Sequence, residues 1–303
     1  MSIETVGNLA PEAEGTDSEV VLGEIETNYL RIPASDGVVL SALLFRPEVP
    51  TVKVFLLIPG LNGAVLGGFH DYRPLAKKLT SKGFSLLILN MRSSNSFATA
   101  KFEDCKIDIG AAVEWLKKND LSRIALFGTS LGGPRIMYYI SQGADIAIEV
   151  IGLIASIRSP YLATTDGPGR DHMDELDEVL IKARKLVAEG KEFVPVSFNY
   201  FLPGRPQIMS AKSFLSFFGT PDDTQAGTIM HGHHVKVPAL IIHGTDDEVS
   251  HPNNSKDIYE SLTSAPERKL VYVEGANHYL AAGWICETYA KLVTRWVAEK
   301  ISS

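Results

Sequence analysis

The sequence predicts an α/β fold built on a mostly parallel β-sheet. Short apolar runs alternate along the chain with longer segments whose apolar residues recur at helical spacing. The runs VKVFLLI at 52–58 and FSLLIL at 84–89 are almost uninterrupted, which is typical of strands that are covered on both faces. Strands that alternate with helices in this way are typical of a parallel sheet with helices on its faces.

The first predicted element is a β-hairpin, because extended segments at 24–34 and 38–47 flank a Ser-Asp-Gly turn. The later apolar runs predict strands at 52–58, 84–89, 124–127, 148–155, 237–242 and 269–273. Segments of helical periodicity lie between them, at 70–82, 103–118, 131–141 and 283–300. The sheet is therefore expected to have about eight strands.

One connection is far longer than the others. Residues 161–236 separate two predicted strands, and they include an amphipathic helix at roughly 171–189 followed by an aromatic-rich tract. We interpret this insertion as a cap or lid, with a surface subdomain remote from any site as the alternative. The core is then 19–160 and 237–303, and residues 1–18 are expected to form a flexible N-terminal arm.

Composition and charge exclude some classes of function. The chain has 303 residues and a formal net charge of −7, which argues against nucleic acid or an anionic membrane as the main partner. It has no apolar run of about 18 residues and no signal-like N-terminus, so we expect a cytoplasmic protein without membrane spans. Cys105 and Cys286 are expected to be reduced thiols. A small-molecule substrate is the expected partner, and a homodimer is compatible with the sequence.

The motif GTSLG at 128–132 follows the strand-like run at 124–127. Its G-x-S-x-G pattern is typical of a serine held on a tight turn between a strand and a helix, with flanking glycines that allow close backbone contacts. Serine is also among the commonest helix N-caps. The motif alone therefore leaves Ser130 as either a nucleophile or a structural cap.

A nucleophilic serine needs a base, and the base needs an acid to orient it. HGTDDEV at 243–249 follows the strand VPALII, and EGANH at 274–278 follows the strand KLVYV. Reactive groups of an open parallel sheet gather beyond the carboxyl ends of its strands. Ser130, an aspartate of the first loop and His278 are therefore expected to meet there.

With these motifs the chain resembles the α/β-hydrolase superfamily over nearly its whole length. The resemblance implies an α/β-hydrolase fold with a cap between the sixth and seventh strands of the family's sheet. It also implies Ser130 as nucleophile and His278 as base. The family's G-x-x-D pattern, started at Gly244, implies Asp247 as the acid, and the adjacent Asp246 is the alternative.

The resemblance also implies an oxyanion hole made of two backbone N–H groups. One is the amide of Leu131, and the other is the amide of Leu61, with that of Asn62 as the alternative. The loop here begins Pro59-Gly60, where the family often has His-Gly. This departure leaves the branch of the superfamily undefined.

The implied activity is that of a serine esterase that acts on a small, apolar or aromatic molecule and needs no cofactor or metal. Candidate pocket residues are Asn62, Arg92, Phe201 and Phe217. Two structural alternatives stay open: Arg92 paired with Asp104 or Asp108, and the cap aromatics serving as the core of the cap. Alternative functions are cleavage of a thioester, amide, lactone or C–C bond by the same triad, acyl transfer, and ligand binding without turnover.

Overall fold

The computed structural model describes residues 2–6, 25–61, 72–143, 145–166, 173–199, 206–279 and 284–301. The strands are β1 (Ser2–Val6), β2 (Glu26–Pro33), β3 (Val39–Arg46), β4 (Lys53–Ile58), β5 (Ser85–Asn90), β6 (Arg123–Thr129), β7 (Ile148–Ile154), β8 (Pro195–Phe198), β9 (Gln207–Ser210), β10 (Ala239–Gly244) and β11 (Arg268–Val273). The α-helices are α1 (Arg73–Thr80), α2 (Arg92–Ser96), α3 (Cys105–Lys118), α4 (Gly132–Ser141), α5 (Pro160–Asp166), α6 (Met173–Ala188), α7 (Ala211–Phe218), α8 (Asn253–Ser261) and α9 (Trp284–Lys300). Short 3₁₀ helices cover Phe102–Asp104 and Ile229–His234. None of the described helices combines the length and apolarity needed to cross a membrane.

A nine-stranded sheet organises the molecule, in the order β1-β11-β10-β7-β6-β4-β5-β3-β2. The hairpin β2–β3 is antiparallel, as the sequence predicts, and β3 joins β5 in the antiparallel sense. The other neighbours in the sheet are parallel. The carboxyl ends of β4, β6, β10 and β11 therefore lie at one edge of the sheet, and the loops with the predicted site residues follow them.

The strand β1 corrects the prediction of a flexible arm over residues 1–18. Ser2–Val6 pairs in parallel with β11, from Ser2 opposite Lys269 to Val6 opposite Val273. Glu4 Oε2 lies 2.5 Å from Lys269 Nζ across this pair. A five-residue edge strand is held mainly by backbone hydrogen bonds, so its residue pattern carries little signal. The rest of the predicted arm lies outside the described residues.

The sheet separates two apolar cores, because alternate residues of the central strands point to opposite faces. Leu56 of β4 faces the layer that contains α3, α4 and the inserted segment. Its neighbours Phe55 and Leu57 face α1 and α9 on the other side. Side chains on both faces of β4 are fully buried, which explains why its sequence is apolar without alternation.

The predicted cap segment contains α5, α6, α7, the hairpin β8–β9 and the second 3₁₀ helix, between β7 and β10. The predicted helix at 171–189 corresponds to α6, whose apolar side is buried against α7. Phe198, Phe214 and Phe218 form a contacting aromatic cluster with ring centroids 5.1–5.8 Å apart. These rings serve as the core of the segment, in line with the structural alternative. Its role as a lid stays a prediction.

A buried polar contact fastens this segment to the core. The amide of Phe102 donates to Ser216 Oγ of α7 at 2.7 Å, and that hydroxyl donates to Glu103 Oε2 at 2.6 Å. Phe217 packs beside this contact, with its ring centroid 4.9 Å from that of Phe97 and 5.9 Å from that of Phe102. The segment is therefore docked on the 3₁₀ turn that precedes α3.

We predict that Ser216→Ala lowers the free energy of unfolding by about 1–3 kcal/mol, because it leaves the buried Phe102 amide without an acceptor. Urea denaturation measures the change. Ser197→Ala, at an exposed position of β8, is the control and should lie within about 0.5 kcal/mol of the parent. Equal stability of the two variants would contradict the assigned contact.

Candidate active site

Ser130 stands on a tight turn between β6 and α4. Its backbone has φ +52°, in the left-handed region that few residues other than glycine adopt. Its amide donates to Ile154 O at 2.9 Å, and its carbonyl accepts from Gly133 N at 3.0 Å. The N-cap of α4 is Leu131, and the Ser130 hydroxyl is 3.0 Å from His278 Nε2. The interpretation of Ser130 as the helix cap is therefore wrong, and its side chain faces the sheet edge.

Close backbone approaches explain the glycines of the motif. A Cβ on Gly132 would lie 2.1 Å from Ile58 O, and one on Gly128 would lie 2.4 Å from Gly132 O. Both distances are far below van der Waals contact, so only hydrogen fits at these positions. The G-x-S-x-G spacing is thus the condition for the start of α4 to pack directly on the end of β4.

Asp247, His278 and Ser130 form a hydrogen-bonded series. The two oxygens of Asp247 lie 2.8 and 3.0 Å from His278 Nδ1, while His278 Nε2 faces Ser130 Oγ. Asp246 is exposed, and it accepts a hydrogen bond from the hydroxyl of Thr245. Of the two aspartates that the sequence leaves open, the structure brings Asp247 to the histidine.

The Asp247 carboxylate has more partners than the sequence indicates. Its Oδ1 accepts the amides of Val249 and Ser250 at 2.9 and 2.7 Å. Its Oδ2 lies 3.0 Å from Nε2 of His243, a fully buried residue at the end of β10. Burial raises the pKa of Asp247, but hydrogen bonds and charge from His243 and His278 outweigh it and hold the pKa well below its usual range. The group is therefore an ionised acceptor at neutral pH.

The loop after β4 lies against Ser130. A Cβ on Gly60 would be 2.9 Å from the Ser130 Cβ, and the Gly60 amide donates to Thr129 Oγ1 at 3.1 Å. The next amide along this loop is that of Leu61, one of the two predicted oxyanion donors. The other, Leu131 N–H, is at the start of α4, where a helix leaves its first amides without internal acceptors. Asn62 lies outside the described residues.

Arg92 is engaged in ion pairs. Its Nε lies 2.7 Å from Asp108 Oδ1, and its Nη1 lies 2.5 Å from Asp36 Oδ2. The structural alternative, a pair with Asp108, is thus confirmed. Arg92 also lines a cavity of about 310 Å³ at the ends of β3 and β5. Two carboxylates hold its guanidinium, and its predicted contact with substrate stays a prediction.

Of the remaining predicted pocket residues, the structure describes Phe217. Phe217 is 1% exposed and packs between the core and the inserted segment. The prediction that its side chain lines the substrate pocket is therefore wrong. Phe201 lies outside the described residues. Over the described ranges, no cluster of three histidine, cysteine or acidic side chains is suited to hold a metal ion. His231, in the second 3₁₀ helix, forms a hydrogen bond between its Nε2 and Gln225 O at 3.0 Å.

Solved structures share this architecture. DcsB, solved with its substrate analogue, superposes with a TM-score of 0.71 and 16% identity over 92% of this chain and all of that one. Est1E from Butyrivibrio proteoclasticus gives a TM-score of 0.64 and 19% identity over 91% of this chain and 99% of its own. The chain has the α/β-hydrolase fold. In this α/β-hydrolase fold, the Ser130 turn and the loops of Asp247 and His278 occupy one sheet edge.

Sequence comparison adds two findings for this α/β-hydrolase-fold chain. The family described as serine aminopeptidase, S33, matches residues 209–282, which include Asp247 and His278. An uncharacterised 31.7 kDa protein of Escherichia coli, from the traX-finO intergenic region, is 23% identical over 86% of this chain and 96% of its own length. The solved neighbours include proteins described as esterases.

We predict that Gly132→Ala destabilises the protein by roughly 1–3 kcal/mol, because the new methyl group must displace the Ile58 carbonyl. Chemical denaturation followed by circular dichroism measures it. Gly110→Ala in α3 is the matched control, since its Cβ would meet only the Tyr139 ring at 3.9 Å. That change should stabilise the helix by up to about 1 kcal/mol. A Gly132→Ala protein as stable as the parent would contradict the close approach.

Proposed function

We propose that this protein is a serine hydrolase that cleaves a carboxylic ester of a small, apolar or aromatic molecule. The observation that carries the proposal is the series Asp247–His278–Ser130, closed by a 3.0 Å contact between His278 Nε2 and Ser130 Oγ. A serine hydroxyl is a weak nucleophile, and a hydrogen-bonded imidazole oriented by a buried carboxylate is the arrangement that activates it.

In the acylation step, Ser130 Oγ attacks the acyl carbonyl while His278 Nε2 takes the hydroxyl proton. Asp247 holds Nδ1 protonated and stabilises the imidazolium that forms. The substrate oxygen becomes an oxyanion, which the amides of Leu61 and Leu131 stabilise. The tetrahedral intermediate then collapses, and the leaving alcohol receives the proton from His278.

In the deacylation step, water attacks the acyl group on Ser130 and passes its proton to His278 Nε2. Collapse of the second intermediate releases the carboxylic acid and restores the serine hydroxyl. No step uses a metal ion or an organic cofactor. Asp247 and His278 are only 7% and 8% exposed, so the contact between them is shielded from water, which strengthens its electrostatic attraction.

Esters are the proposed substrates because the solved neighbours include proteins described as esterases. The name of the matched family supports a second candidate, the amide bond of an N-terminal peptide residue. Both reactions use the same residues, and they differ in the leaving group, which is an alcohol in one and an amine in the other.

A panel of p-nitrophenyl esters, anilides and thioesters of graded acyl length tests the proposal. We expect turnover of short or medium esters, with anilides slower, and we expect a fluorophosphonate to label Ser130. Ser130→Ala should fold normally and lose both turnover and labelling. A folded parent that neither turns over any substrate of the panel nor is labelled would overturn the proposal, and faster turnover of anilides would favour the peptidase.

The two adjacent aspartates provide a matched pair of variants. Asp247→Asn should lower kcat by about 10³–10⁴-fold, because the amide holds His278 in the wrong tautomer. Asp246→Asn, at the exposed neighbour, should keep kcat within about threefold of the parent. Steady-state kinetics on the best ester measures both. A larger loss in Asp246→Asn would reverse the assignment of the acid.

A further inference from the structure

Arg135 of α4 is a buried cation that the proposed reaction leaves without a role. It is 1% exposed and is the largest of the fully buried side chains. Burial lowers its pKa to about 10, so the guanidinium still carries its charge at neutral pH. A buried charge is costly unless polar groups satisfy it, so its partners indicate its role.

Those partners belong mainly to the loop after β4. Arg135 Nη1 donates to the carbonyls of Pro59 and Gly60, at 2.9 and 3.3 Å, and Nη2 donates to Ser93 Oγ at 2.8 Å. In the part of the chain that the structure describes, no carboxylate lies within ion-pair distance of Arg135. Asp108, the acidic group that acts on it over a longer range, bonds Arg92 instead.

The loop is thus held from both sides of the serine turn. Thr129, directly before Ser130, accepts the Gly60 amide, and Arg135, one turn into α4, binds the Gly60 carbonyl. Both polar groups of Gly60 are therefore fixed by residues that flank Ser130. These two hydrogen bonds therefore also fix the direction of the next peptide N–H along the chain, that of Leu61.

The Gly60 carbonyl and the Leu61 N–H belong to a single peptide group. A cation that binds the carbonyl oxygen withdraws electron density from the peptide, so the N–H becomes a stronger hydrogen-bond donor. Hydrogen bonds in series strengthen one another in this way, most of all where water is excluded. The positive charge of Arg135 thereby strengthens the Leu61 N–H as a hydrogen-bond donor by polarising the peptide group between them.

We propose that Arg135 is a positioning residue for the oxyanion hole, which fixes the Pro59–Leu61 loop and polarises the Gly60–Leu61 peptide. The inference rests on the proposed function, since it takes the Leu61 amide as a donor to the substrate oxygen. That oxygen is uncharged in the bound ester and develops its negative charge in the transition state that leads to the tetrahedral intermediate. Loss of Arg135 therefore lowers kcat and leaves KM nearly unchanged.

The test compares Arg135→Met, Arg135→Lys and Arg123→Met on the best ester. Arg123 is the control because its guanidinium pairs with Glu149 at the opposite end of β6. We expect kcat of Arg135→Met to fall by about 10²-fold, as for the loss of one oxyanion donor, with KM within about threefold of the parent. Arg135→Lys should recover part of the loss, and Arg123→Met should match the parent.

A second measurement separates this role from simple support of the fold. A trifluoromethyl ketone forms a tetrahedral oxyanion on the serine, so its inhibition constant should rise in Arg135→Met by the same factor as kcat/KM falls. The inhibition constant of the alcohol product, which is neutral and has no carbonyl oxygen, should stay at the parent value. A variant in which the site is only less ordered would bind both inhibitors more weakly, by similar factors.

Each outcome decides the inference. Parent-like kcat and ketone inhibition in a folded Arg135→Met protein would overturn it, as would equal weakening of both inhibitors. If Arg135→Met does not fold, Arg135→Gln takes its place because it also removes the charge, and parent-like kcat and ketone inhibition in that variant would overturn the inference. A parent protein without turnover or fluorophosphonate labelling marks failure of the proposed function, and the inference fails with it.

Discussion

The contact of Gly132 with the Ile58 carbonyl is the constraint on which the candidate site depends. Because α4 begins directly against the end of β4, the turn between β6 and α4 has no room for a relaxed backbone, and Ser130 takes a positive φ. The same approach brings the loop after β4 against Ser130. One steric condition thus places the hydroxyl, the Leu131 amide and the Pro59–Leu61 loop together.

The electrostatics of the site follow from what is buried around that turn. Asp247 keeps its charge because two histidines and two backbone amides surround it, although burial alone would raise its pKa. Arg135, in the helix that follows the serine, keeps its charge because carbonyl and hydroxyl oxygens accept its hydrogen bonds. The site is therefore built with one buried anion, Asp247, and one buried cation, Arg135.

Much of this arrangement could be predicted from the sequence, because strands buried on both faces leave continuous apolar runs and their carboxyl ends share one edge. The choice of Asp247 over Asp246 came from the spacing after Gly244, and the geometry agrees. Pocket residues were harder to predict. An aromatic such as Phe217 has the same sequence signature in a cap core as in a substrate pocket, and Arg92 gives no sign of its partners until the fold brings Asp36 and Asp108 to it.

Three residues escaped sequence reasoning for physical reasons. His243 and Arg135 are polar residues inside apolar elements, and the groups that bind them come together only in the folded structure. Thr129 occupies a variable position of the G-x-S-x-G motif, yet its hydroxyl accepts the Gly60 amide. A polar residue at a position that the fold buries is the signal that could have identified His243 and Arg135.

The edge strand β1 has a consequence for how the chain is handled in the laboratory. It covers the open edge of β11, and the amide of Glu274, four residues before His278, donates to Val6 O at 3.2 Å. An uncovered sheet edge offers unpaired backbone groups to other chains. Deletion of residues 2–6 therefore exposes the edge of β11 and removes the acceptor of the Glu274 amide, so it bears on aggregation as well as on the loop that carries His278.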